Sequence, residues 1–277
     1  MSRKIDDIRV KWLNLRDTYR GFMEFIDTHS HLYDEAFAGE ADAAVERAAE
    51  AGVTKLIFPD IDSQTRELMF SFADRYPGII FPCLGLHPTS IDAAWQEELS
   101  RLEGNLDRKL WAIGEIGIDC YWSKEFLDQQ VEAFRIQLEM ASRLNLPVII
   151  HSRESTELII KVLKESKHLG LRGVFHAYSG SLETFNEIQR LGDWYIGIGG
   201  VLTYKKASIA ETVKQIPLER ILLETDSPYL TPVPFRGKRN ESSYIPYIAA
   251  KLAEQKETDM AEVASITTEN AHKLFNL

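Results

Sequence analysis

Residues 24–31 read Glu-Phe-Ile-Asp-Thr-His-Ser-His, an apolar start followed at once by Asp27, His29 and His31. Alternate side chains of a strand point the same way, so these three polar groups are expected on one face at a strand's end. Two imidazoles so spaced can grip one metal ion from a rigid base, which points to a metal-dependent hydrolase. Alone the motif is a weak signal, because with seven histidines in the chain a chance His-x-His pair is not rare. Its weight depends on whether further ligand-type residues fall at equivalent places.

From residue 23 onward, short apolar runs alternate with helical patterns. Strands are predicted at 24–29, 54–60, 79–85, 110–115, 146–151, 173–177, 194–199 and 220–225. Most are rich in Ile, Val, Leu and Phe, as befits strands buried on both faces. Helices are predicted at 38–51, 64–76, 92–104, 125–145, 154–168, 182–191, 205–215, 244–256 and 259–275. The clearest period runs through Leu127, Val131, Phe134, Leu138, Ala141 and Leu144, at spacings of three and four. Eight strands alternating with helices predict an α/β chain folded as a (β/α)8 TIM barrel, with an open doubly wound sheet as the alternative. No GxGxxG or GxxxxGK(S/T) follows the first strand, which counts against a nucleotide-binding sheet. One hydrolase domain over 23–277 is expected. The polar residues 1–22 before it read as an N-terminal extension that fits a docked helix, a flexible arm or an upstream start equally well.

The chain has 277 residues, 44% of them hydrophobic, and a formal net charge of −10. That balance argues against sequence-independent nucleic-acid binding through a broad basic surface. It leaves room for a local site where bound cations supply the positive charge. Cys83 and Cys120 are far apart and outside any CxxC pattern, so they read as two reduced core thiols. No apolar run approaches the ~20 residues that span a bilayer. The charged N-terminus lacks the apolar core of a signal peptide, so a cytoplasmic location without a membrane partner is expected.

In such barrels the chemistry sits at the C-terminal ends of the strands. His29 and His31 on the first strand, His87 on the third, His151 on the fifth and His176 on the sixth all fall at predicted strand ends. His168 and His272 fall in predicted helices and read as surface or packing residues. Glu115 ends the fourth predicted strand, and Asp226 follows the eighth. Thus His29, His31, Glu115, His151, His176 and Asp226 come from five strands and are expected to converge at one mouth. Six ligands are too many for one open catalytic zinc. They suit two metals bridged by a carboxylate such as Glu115, and a metal pair ~3.5–4 Å apart is a common phosphoester-hydrolysis device. Imidazole suits Zn, Mn, Fe or Ni, while carboxylate oxygen also suits Mg and Mn. His87, Arg153 and Arg236 are candidates for holding substrate, the last within the basic cluster Arg236, Lys238 and Arg239. Tyr178, Tyr229 and Trp122 lie just past strand ends, where they can stack on bases or simply pack. Glu224 shares a strand face with Asp226 and reads as a buried support for a ligand histidine.

With these residues in place, the chain resembles the TatD family of metal-dependent deoxyribonucleases, within the amidohydrolase-like superfamily. The landmarks are FIDTHSHL, GLHP at 85–88, GEIGID at 114–119, PVIIHSR at 147–153, FHAYSGS at 175–181, LLETDSPYL at 222–230, PVPFRGKRNE at 232–241 and TTENAHKLF at 267–275. The resemblance implies one metal on His29, His31, Glu115 and Asp226, and a second on Glu115, His151 and His176. It makes Asp226 and Glu115 the catalytic carboxylates, with Asp226 orienting the attacking, metal-activated water or taking its proton. The implied reaction is hydrolysis of DNA phosphodiesters, often as a 3′→5′ exonuclease, with two Mg or Mn ions (Zn, Fe or Ni being alternatives). The implied substrate is DNA ends or single-stranded DNA, in repair or turnover. No protein partner is identifiable, and a monomer is the default. The chain departs from the family pattern at Ala177, where cysteine is frequent, at Ser242, where proline is usual, and at Thr89, where a second histidine is common. None of these removes a proposed ligand. The competing expectations are an ester or amide hydrolase, such as an aminoacyl-tRNA deacylase, and an idle barrel that only binds. Glu115 in the bridging place, rather than a lysine to be carboxylated, favours the phosphoesterase.

Overall fold

The computed structural model describes residues 23–277, so the expectation for residues 1–22 lies outside the described residues. Eight strands follow in order: β1 (Phe25–Asp27), β2 (Val53–Phe58), β3 (Ile80–Pro82), β4 (Ile113–Asp119), β5 (Val148–Arg153), β6 (Arg172–Phe175), β7 (Asp193–Ile198) and β8 (Ile221–Leu223). The intervening helices are α1 (Ala41–Glu50), α2 (Arg66–Arg75), α3 (Trp95–Glu103), α4 (Leu127–Leu144), α5 (Thr156–Glu165), α6 (Leu182–Gln189) and α7 (Ile209–Val213). After β8 come α8 (Ile245–Lys256) and α9 (Met260–Phe275).

All strand pairings are parallel, in the runs β1-β2-β3 and β4 through β8. Two bridges join the runs into a ring: Leu84 with Ile113, and Ser30 with Ser227. Backbone bonds reinforce the second seam, from Thr28 N to Leu223 O at 3.0 Å and from Asp226 N to His29 O at 2.9 Å. The expected barrel, not an open sheet, is therefore formed.

Its core follows from the two-residue period of strands. Ile26, Ile57, Phe81, Ile149, Val174 and Leu222 form one cluster with Ala271, Leu274 and Phe275, so α9 closes the barrel at one end. Their strand neighbours Phe25, Leu56, Phe58, Val148, Phe175 and Leu223 belong to the second cluster, with the surrounding helices. Cys83 is buried, as expected of a core thiol, but Cys120 is only half-buried. Among the described residues no helix is long and apolar enough to cross a membrane.

One strand differs from its expected position. β4 begins and ends later than 110–115, so Glu115 lies inside the strand and Asp119 ends it. Within it the β4–β5 register shifts between Ile113 and Ile116, which marks a bulge. Gly117 has φ of +145°, and a Cβ there would lie 2.1 Å from the His151 carbonyl oxygen, so only glycine permits this approach. β5 likewise continues two residues past His151, and His168 sits in a short 3-10 turn (Lys167–Leu169) rather than in α5.

Candidate metal centre

The site lies at the open end of the barrel, where β1, β4, β5, β6 and β8 deliver their polar residues. Asp27 departs from the expected shared face. Its Oδ1 accepts from His29 N at 3.2 Å and Thr225 N at 3.0 Å, and its Oδ2 accepts from Thr225 Oγ1 at 2.6 Å. It thereby fastens the start of the His29 segment to the segment that carries Asp226. Asp226 itself has φ of +57°, in the left-handed region that costs most non-glycine residues.

Glu115 is the hub. Its Oε2 is 3.0 Å from His29 Nε2 and 3.8 Å from His31 Nε2. Asp226 Oδ1 closes that group at 3.6 and 3.9 Å from the same two nitrogens. The other oxygen, Oε1, is 2.8 Å from both His151 Nδ1 and His176 Nε2, and 3.3 Å from His87 Nε2. The other five residues expected as ligands thus gather around the Glu115 carboxylate, and His87 joins them. Arg153 and Arg236 do not reach it. Among the described residues neither forms an ion pair, and their guanidinium groups rest on Tyr121 and on Tyr204 respectively. Arg239 is committed to Glu40, so the basic cluster is partly structural. Tyr178 is buried and donates its hydroxyl to Ser181 O at 2.7 Å, which makes it a packing residue rather than a stacking platform.

The proton positions follow by elimination. The Tyr33 hydroxyl gives its single proton to the Pro59 carbonyl, so it must accept from His31 Nδ1, 2.9 Å away. That leaves a lone pair on His31 Nε2, aimed at the cluster. Asp119 Oδ2 accepts from His151 Nε2 at 2.9 Å, which leaves Nδ1 to face Glu115. Neither Tyr33 nor Asp119 was among the expected site residues. Each had a signal, since Tyr33 lies two residues past His31 and Asp119 lies four past Glu115, at matching strand parity.

Burial, with the neighbouring His176, lowers His29 to about 4, and burial with His29 lowers His31 to about 3. Both rings are therefore neutral near pH 7, the form that donates a lone pair. Burial opposes ionisation of Glu115, but His176, His87 and His29 outweigh it and hold the carboxyl well below its usual range. Burial also opposes charging of His176, yet Glu115 and Glu224 hold that ring well above the usual histidine value. Glu224 sits beneath, with Oε1 3.6 Å from His176 Nδ1 and accepting from Ala177 N at 2.6 Å. Only glycine at 197 leaves it room, because a Cβ there would lie 1.9 Å from Glu224 Oε2. Among the described residues, His29 Nδ1, His176 Nδ1 and Glu224 Oε2 are buried without a hydrogen-bond partner. Ligand atoms of His29, His31 and Asp226 lie within 4.8 Å of one another, as do those of His87, Glu115 and His151, and such imidazole and carboxylate groups are the chemistry of a divalent-cation site.

The chain matches the TatD-related DNase family across residues 26–276. It belongs to that family. A Bacillus subtilis relative named uncharacterized metal-dependent hydrolase YabD is 41% identical over 258 residues, covering 91% of this chain and 98% of the relative. The solved structure of YjjV, a TatD homolog from Escherichia coli, superimposes with a TM-score of 0.85 at 33% identity, over 91% of this chain and 98% of that one. A TatD-family hydrolase from Entamoeba histolytica does so at 0.76 and 26%, again over 91% and 98%. Membership places the chain among metal-dependent hydrolases, on the barrel that its strand order describes.

In this TatD-family chain, Tyr33→Phe keeps the ring against Phe58 but removes the acceptor that sets the His31 tautomer. Loss of such a supporting bond typically weakens metal affinity by about 10- to 100-fold. Titration calorimetry with Mn2+ measures it, and an unchanged affinity would remove Tyr33 from the site.

Proposed function

We propose that the chain is a divalent-metal-dependent deoxyribonuclease that hydrolyses phosphodiester bonds at DNA ends or in single strands, as a 3′→5′ exonuclease. The observation that supports this best is the sharing of Glu115 between two groups of imidazoles. One cation would be held by His29, His31, Glu115 and Asp226, and a second by Glu115, His151 and His176. Such a pair, when bound, neutralises phosphate oxygens and lowers the pKa of water. The chain's own residues supply the rest. Asp226 Oδ1, 3.6 and 3.9 Å from the Nε2 atoms of His29 and His31, stands where it can orient the water or take its proton. His87 Nδ1 is fixed by Thr89 Oγ1 at 2.6 Å, which turns Nε2 toward the cluster, where it can orient a phosphate oxygen. The acidic surface, with net charge −10, suits short contacts at one cation-charged pocket better than a long tracking groove.

The test is shortening of a labelled single-stranded oligonucleotide by purified protein in Mg2+ or Mn2+, with EDTA and Asp226→Ala as controls. Metal-dependent shortening that disappears in both controls is expected. If wild-type protein binds Mn2+ but leaves DNA intact, the nuclease reading falls and ester or amide substrates, aminoacyl-tRNA included, take its place.

A further inference from the structure

The turn after β4 carries exposed aromatics that the cluster around Glu115 does not use. Tyr121 is 50% and Trp122 69% exposed, with ring centroids 5.0 Å apart in a T-shaped pair. The Arg153 guanidinium, at the end of β5, lies 3.8 Å from the Tyr121 ring centroid and 5.2 Å from that of Trp122. Two large exposed rings and a cation without an ion pair among the described residues bury little surface for the fold. Yet the turn that bears them is anchored. Asp119 Oδ1 accepts from Tyr121 N at 2.9 Å and from Trp122 N at 3.1 Å, while its Oδ2 holds His151 Nε2. One carboxylate therefore sets the aromatic pair in fixed register with the cluster. A shallow cleft lined by Pro88, Thr89, Asp119, Trp122 and Phe126 runs from the platform toward the His87 turn.

We propose that Tyr121, Trp122 and Arg153 form a stacking subsite for an unpaired nucleobase next to the phosphate held at the Glu115 cluster. The inference rests on the nuclease reading and names its substrate as single-stranded or frayed DNA. Every base has a π-face, so such a platform is sequence-tolerant, and Arg153 adds cation–π and phosphate attraction. Asp119 acts as a positioning residue for this platform.

The experiment measures binding of two fluorescently labelled phosphorothioate 12-mers, which resist hydrolysis, in the presence of Mn2+. One is oligothymidine and the other carries abasic sugars on the same backbone. Wild-type protein is expected to prefer the thymidine strand by about 5- to 150-fold, the equivalent of ~1–3 kcal/mol of stacking. Trp122→Ala should shrink that ratio toward one, and Trp122→Phe should restore most of it. Because Trp122 is on the surface, thermal melting should be unchanged in both variants. An unchanged ratio in Trp122→Ala, in a protein that still cleaves DNA, overturns the stacking subsite and leaves the nuclease reading standing. A wild-type protein that neither binds the strands nor cleaves DNA overturns both.

Discussion

Glu115→Gln is expected to lower DNA hydrolysis by about 10^3-fold or more and to weaken Mn2+ binding in both halves of the site. The substitution hardly changes size, so the effect is one of charge and lone pairs. Glu115 offers one oxygen to His29 and His31 and the other to His151, His176 and His87. An amide replaces one acceptor oxygen by a donor and removes the negative charge that both halves of the site share. Lewis-acid charge stabilisation amounts to several kcal/mol, and each ~1.4 kcal/mol is a factor of ten in rate. Calorimetry with Mn2+ separates this from a lesion in one half: Glu115→Gln should lose affinity across the whole isotherm, whereas Tyr33→Phe acts through His31 alone. Full activity in Glu115→Gln would remove the shared-carboxylate basis of the proposed function.

How far the sequence reveals this arrangement depends on the physical origin of each feature. The strands are legible because burial on both faces writes continuous apolar runs such as Val148-Ile149-Ile150. The helices are legible because α4 buries Ala133, Phe134, Leu138 and Ala141 on one stripe. Ligand candidates are legible because a barrel brings strand ends together whatever their separation along the chain. The β4 bulge between Ile113 and Ile116 is not, since a register shift leaves no mark in the apolar period. β4 runs on past it, with Glu115 inside the strand and Asp119 at the mouth. Asp27 shows the converse limit. Its spacing from His29 is that of a ligand, but a short β1 and a hydroxyl at Thr225 turn its carboxylate into a staple. The buried helix residue Gln137 was equally hidden, although its amide brackets the backbone of Leu86 and so fixes the His87 turn.

Asp60→Ala is expected to destabilise the fold by about 3–5 kcal/mol, the usual cost of leaving a buried charge without its partner. Asp60 follows β2 and is fully buried, as is Arg66 at the start of α2. Asp60 Oδ2 accepts from Arg66 Nε at 2.7 Å and Gly85 N at 3.3 Å, and Oδ1 accepts from Ile61 N at 2.9 Å. Truncation removes all three bonds and strands a guanidinium whose Nη2 already lacks a hydrogen-bond partner among the described residues. At ~2–4 °C per kcal/mol for a chain approaching this size, the melting temperature should fall by about 10 °C. The double variant Asp60→Asn with Arg66→Met places no charge in the core and should recover most of that loss. Activity should recover with it. The contacts that hold the Glu115 peptide, Glu115 N to Asp60 O at 3.1 Å and Asp60 N to Gly114 O at 3.0 Å, are backbone bonds that neither side chain supplies. A double variant as unstable as Asp60→Ala would show that packing around Arg66, rather than its unpaired charge, dominates. A double variant that is stable but inactive would show that the ion pair shapes the position of Glu115 as well as the core.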